Sequence, residues 1–129
     1  MGKPSTYDRL GGAEGIARLV KIFYDTVETD PVGEALMRMH NRGNGLAHAR
    51  QAQFEFLSGF TGGPQLYREQ HGHMDLHEIH AHLDITPVES NSWVTCMDKA
   101  LTQFGAAPDL HAYLMNIFRR VAVMLEDKR

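Results

Sequence analysis

Apolar residues recur at steps of three and four along almost the whole of this chain, and that periodicity leaves few folds open. A period near 3.6 puts such residues on one side of a helix, whereas a half-buried strand alternates every second residue. No alternating run longer than a few residues occurs, and no segment repeats. Ile16, Leu19, Val20, Phe23 and Val27 form one stripe after the flexible Gly11-Gly12 pair, a helix of roughly four turns. Asp30-Pro31 reads as a cap with proline in the first turn, opening a short helix through Leu36 and Met39 that NRGNG at residues 41–45 breaks. A second strong stripe, Ala49, Ala52, Phe56, Leu57 and Phe60, runs into the stop signal TGGP at residues 61–64.

Between Gly62 and Thr86 the period fades into a polar, histidine-rich stretch, for which a loop with one or two helical turns is expected. Thr86-Pro87-Val88-Glu89 carries the pattern of a capping box, so a helix starts there and buries Trp93, Met97, Ala100 and Phe104. Gly105 and Pro108 mark its end. Asp109 is placed to cap a last helix faced by Leu110, Leu114, Ile117, Phe118, Val121 and Leu125. With 129 residues and 43% hydrophobic content, the expectation is one all-α domain over residues 1–129.

Several functions are disfavoured at once. Thirteen basic against sixteen acidic side chains leave a net charge of -3, without the basic footprint that nucleic acid or an anionic membrane selects. The single Cys96 has no partner for an intramolecular disulfide and reads as a small buried apolar residue. No apolar run approaches a membrane span, and MGKPSTYDRL carries no apolar leader segment, so the expected compartment is the reducing cytoplasm.

Five of the eight histidines fall between His71 and His82. A zincin needs HExxH, which stands its two imidazoles one turn apart; His77, Glu78 and His80 give HExH, one residue short. His73 and His77 are four apart and would chelate zinc on a helix, although a solvated surface pair is the commoner outcome. His71 and His82 read as exposed loop residues. His80 differs, because Ile79, Leu83 and Ile85 place it at the edge of the apolar region. A buried histidine satisfied by the protein and a metal ligand both fit that position.

Three helices carry a polar or amphipathic residue on a face that should be buried: Tyr24, Gln53 and Trp93. Each needs a hydrogen-bond partner if buried, since an unpaired one costs roughly 1 to 3 kcal/mol. Any one of them alone reads as a rim residue whose polar tip reaches water. Three together, with His80 as a candidate ligand and His40 as a possible fourth donor, suggest a cavity with a metal on one side and hydrogen-bond donors on the other.

The elements YDRLGG (7–12), FYD (23–25), FEFLSGFTGGPQLY (54–67), HGHMDLHEIHAHLDI (71–85) and WVTCMDKAL (93–101) together resemble the group II truncated hemoglobins. That resemblance covers nearly the whole chain and implies a truncated globin, a two-over-two helical sandwich around heme b. It implies His80 as the proximal iron ligand, Tyr24 as the distal tyrosine and Trp93 as the tryptophan that marks the group. Gln53 falls at a position often apolar in the family, and Ala49 where classical globins keep a distal histidine. His40 falls where other globins usually have an aromatic that wedges against the heme. Phe56 and Leu83 are expected against the cofactor. Two departures are visible: Ile79 replaces a basic residue and Met74 a proline, so the propionates would pass to Tyr67, Arg68, His73 and His77.

Oxygen on ferrous heme carries partial negative charge, so two or three aimed donors imply slow release, which suits storage, sensing or chemistry better than delivery. The primary expectation is therefore a heme protein that binds oxygen tightly, along with NO and CO. The alternative is a redox enzyme that turns over nitric oxide or peroxide with an external reductase, because the chain has no flavin or nicotinamide motif. The iron is expected to be five-coordinate, with a third possibility that His40 or Tyr24 swings in as a sixth ligand, and the chain is expected to be a monomer or a homodimer.

Overall fold

The computed structural model of the protein describes residues 4–42, 45–81, 83 and 85–126, with the side chains of Arg42 and His77 left aside. Its described residues form helices and connections and no strand. Helix α1 (Thr6–Arg9) is closed by a capping box, in which the Asp8 N–H donates to the Ser5 hydroxyl at 3.0 Å and the Ser5 N–H to the Asp8 carboxylate at 3.4 Å. No apolar run follows to signal it in the sequence.

Gly11 and Gly12, at φ +97° and +68°, then turn the chain into α2 (Gly12–Thr29). The turn is tight enough that a Cβ on Gly15 would stand 1.6 Å from the Leu10 carbonyl oxygen and 2.5 Å from its carbon. Backbone cannot yield as a side chain can. Gly15→Ala is expected to destabilise the protein at the upper end of about 1 to 3 kcal/mol, the cost of forcing atoms into a packed site, read as a lower urea midpoint at unchanged slope.

The stripe of α2 is buried as its spacing predicts, from Ile16 to Val27. Asp30 does cap the next element, its carboxylate accepting from the Val32 N–H at 3.0 Å, but the first turn, Pro31–Gly33, is the tighter 3-10 form. It leads into α3 (Glu34–Arg42), and the second apolar stripe forms α4 (Leu46–Phe60). The faded stretch holds two short helices, α5 (Leu66–His71) and α6 (Leu76–Ile79), and the long helices α7 (Pro87–Phe104) and α8 (Pro108–Leu125) close the chain.

One expected cap holds with a different bond to Glu89, and one is corrected. Thr86 caps α7 by accepting from the Val88 N–H at 3.2 Å, while its hydroxyl donates to the Glu89 carboxylate three residues on. Asp109 does not cap α8. Proline, which lacks an N–H and has a helical φ, takes the first position at Pro108, and the helix starts from Ala107. The Asp109 carboxylate is turned instead to the Arg9 guanidinium, 2.9 Å away, tying α8 to α1.

Helix α2 packs on α4 and α7, and α7 packs on α8 and α3, so two pairs of helices cross with the core between them. Cys96 lies in that core with no exposure, as a small apolar residue would. Burial, with Asp30 nearby, pushes its thiol up to about 11. Iodoacetamide at pH 8 should therefore leave the native protein unlabelled and react only as it unfolds. Among the described residues no helix is long and apolar enough to cross a membrane.

Candidate functional site

A cavity of about 430 Å³ opens between the helices, within the size range of sites that hold small molecules and cofactors. Every long helix contributes to it. From α4 come Ala49, Ala52, Gln53, Phe56 and Phe60, spaced as one helical face; α8 adds Phe118, Val121, Ala122 and Leu125. The three alanines keep side-chain bulk low. Aromatic rings follow the wall in near-continuous contact: Trp93 against Phe118 at 5.2 Å, Phe118 against Phe60 at 6.2 Å, Phe60 against Phe56 at 5.6 Å and Phe56 against Tyr67 at 5.8 Å.

Tyr24 and His40 stand edge to face with ring centres 5.6 Å apart, and Tyr24 meets Phe23 in the same way at 4.8 Å. Burial holds the Tyr24 phenol well above its ordinary range, only partly offset by Arg50, so it stays a hydrogen-bond donor. The Arg50 guanidinium lies 5.5 Å from the Tyr24 ring centre and is itself fixed by Asp25 and Glu28 at 3.3 and 3.1 Å. Trp93 touches Phe23, ring centres 5.4 Å apart, and lines the cavity half-buried. The Tyr24 hydroxyl and the Trp93 N–H form no hydrogen bond with another described residue, and neither is sealed in as an unsatisfied atom. Both belong to side chains that line the cavity.

Two imidazoles share an unusual local geometry. His80, just past the end of α6, has Nδ1 2.8 Å from the Leu76 carbonyl, and His40 on α3 has Nδ1 2.8 Å from the Leu36 carbonyl. A carbonyl only accepts, so each Nδ1 carries a hydrogen and donates it. In a neutral ring the lone pair then sits on Nε2. Burial holds His40 below the usual imidazole range, against the pull of the Leu36 carbonyl and with a smaller push from His80.

Of the residues singled out from the sequence, the fold brings Tyr24, His40, Ala49, Gln53, Phe56, Tyr67, His80, Leu83 and Trp93 to this one cavity. Arg68 is exposed on the outer side of α5, and half-buried His73 has Nδ1 accepting from the Asp75 N–H at 3.1 Å; neither lines the wall. The His77 side chain and His82 lie outside the described residues. Ile79 lines the wall, so the departure from a basic residue adds apolar surface there.

His71, expected in an exposed loop, is exposed but ends α5 and lines the cavity, its ring 4.2 Å from that of Tyr67 and its Nε2 3.8 Å from the buried Glu55 carboxylate. Its spacing of four from Tyr67 was the available signal. His48 also lines the wall, beside Ala49, with no sequence signal beyond that adjacency.

A family model described as bacterial-like globin matches residues 5–126. The group 2 truncated hemoglobin YjbI of Bacillus subtilis (strain 168) is 30% identical over 103 residues, 80% of this chain and 74% of that one. A cold-adapted truncated hemoglobin from the Antarctic marine bacterium Pseudoalteromonas haloplanktis superposes with a TM-score of 0.90 at 33% identity, covering 98% of this chain and 100% of that one. A truncated oxygen-avid haemoglobin from Bacillus subtilis superposes at 0.81 with 27% identity, covering 96% and 100%.

Proposed function

Because this chain belongs to the bacterial-like globins, as a group II truncated hemoglobin of two-over-two fold, we propose that it holds b-type heme on His80 and binds oxygen tightly beside Tyr24 and Trp93. The observation that carries this reading is the convergence, on one apolar cavity, of two donors with no described partner and an imidazole locked by the Leu76 carbonyl. When bound, heme supplies a ferrous iron at which a diatomic ligand is held and acquires partial negative charge. The residues fit such a group. Aromatic and aliphatic side chains offer faces and edges to a flat apolar ring, and the locked Nδ1 of His80 turns Nε2 into the ligating nitrogen in one tautomer.

The single cysteine, buried in the core, offers no thioether attachment, which supports heme held without covalent links. Among the described residues the wall carries neither lysine nor arginine, so the propionates would meet Tyr67 and His71. Burial and the nearby Glu55 and Glu78 raise the Tyr67 phenol, which therefore stays a donor.

Tyr24 and Trp93 distinguish ligands by charge. Each donor to a negatively polarised atom contributes roughly 1.5 to 3 kcal/mol, or about tenfold to a hundredfold in escape rate. Oxygen gains most and carbon monoxide least. Trp93→Phe keeps the aromatic packing against Phe23 and Phe118 but removes the indole N–H, so oxygen dissociation measured by stopped flow should speed up by about tenfold to a hundredfold. An unchanged rate would sink the claim that this indole holds the ligand.

A further inference from the structure

The sequence presents His40 as one more donor, yet its geometry is that of an acceptor. Its Nδ1 hydrogen is spent on the Leu36 carbonyl at 2.8 Å, so the neutral ring keeps a lone pair on Nε2, on the edge of the imidazole away from its own helix. Burial, seconded by His80, favours that neutral form. The ring lines the cavity at 5.6 Å from the Tyr24 ring, so donors and a base share one region. The other imidazoles on the wall are otherwise engaged or placed. His80 is the proposed iron ligand, Nε2 of His71 faces the Glu55 carboxylate at 3.8 Å, and His48 is exposed at the rim.

We propose that His40 is the proton acceptor of this cavity, so that the site takes weak protic acids, hydrogen peroxide among them, as their conjugate bases. This rests on the heme reading above and extends it from diatomic gases to ligands of the form H–X. As H–X enters, its bond to hydrogen breaks with the electron pair left on X, and the proton forms an N–H bond with the Nε2 lone pair. The imidazolium so formed stays bonded to Leu36 through Nδ1. The anion is met by the Tyr24 and Trp93 donors. No electron changes hands, and no co-reactant is required. A positioned base of this kind contributes typically about 10² to 10⁴-fold.

The test compares cyanide with azide on the ferric, heme-loaded protein at pH 7. Cyanide is present there as protonated hydrogen cyanide and must lose its proton, whereas azide is already ionised. In both His40→Phe and His40→Gln, the ratio of cyanide to azide association rates is expected to fall about 100-fold or more, since neither side chain is a base. Equal falls for both ligands, or no fall, would overturn the proposal, because His40 would then only shape the entrance.

A second readout needs no variant. Nitrogen-15 spectra of the diamagnetic, carbon monoxide-bound ferrous protein should show His40 with hydrogen on Nδ1 and none on Nε2; the opposite tautomer or an imidazolium overturns it. So does a low-spin ferric spectrum without added ligand that disappears in His40→Phe, since Nε2 would then be given to the iron. A protein that takes up no heme defeats the heme reading and this inference together. One that binds heme and carbon monoxide with an unmoved cyanide-to-azide ratio defeats the inference alone.

Discussion

Replacing His80 by alanine is expected to abolish stoichiometric heme uptake. The imidazole is held by the Leu76 carbonyl one turn back, and among the described residues its near neighbours in sequence on the cavity wall, Ile79, Leu83 and Ile85, carry no ligating nitrogen. Losing even an outer partner of a metal ligand typically costs about 10- to 100-fold in affinity, and losing the ligand itself should exceed that. The measurement is the heme absorption band per mole of protein in ferric and ferrous forms, for wild type and His80→Ala. Free imidazole, which fits the space the side chain leaves, should restore part of it. A variant that retains a full, stable band without imidazole would falsify His80 as the ligand and return the other wall histidines to candidacy.

The double replacement Tyr24→Phe with Trp93→Phe is expected to speed oxygen escape by about 10² to 10⁴-fold, if each donor contributes its tenfold to hundredfold independently. Both rings touch Phe23, at 4.8 and 5.4 Å, so some coupling is expected and the two single variants complete the cycle. Stability supplies the control. The Tyr24 hydroxyl has no described protein partner, so Tyr24→Phe removes a polar group from a buried position without stranding another, and the urea midpoint should hold or rise slightly. A double variant with wild-type escape would mean that the donors do not reach the ligand. A double variant that escapes quickly but has also lost stability would point to a distorted pocket.

How the cavity is assembled explains which parts of it could be read in advance. The stripe from Ile16 to Val27 identified α2, and Thr86-Pro87 the start of α7, because a helical face and a proline at the first position are consequences of a few consecutive residues. Tyr24, Gln53 and Trp93 stood out for the same reason, as polar interruptions of apolar faces, and all three reach the cavity. The histidine-rich stretch was less legible. His80 is marked by apolar neighbours, but nothing marks His71 as helical, because α5 is only six residues long and has too few turns to show a period. Arg68 and His73 fit propionate contacts by chemistry but sit off the wall, Arg68 on the outer side of α5 and His73 in the connection between α5 and α6, where its Nδ1 accepts from the Asp75 N–H.

By itself the sequence determined the long helices, the polar residues interrupting their faces, the one histidine set among apolar neighbours, and through its motifs the family. Those are properties of spacing along the chain, set by covalent geometry within a turn or two. Only the tertiary structure decided which faces meet around one cavity, that Asp109 answers Arg9 a hundred residues away instead of capping its own helix, and that the His40 ring on α3 stands beside the Tyr24 ring on α2. Such pairings join segments far apart in the chain. They are fixed by how whole helices pack, and no local pattern encodes that.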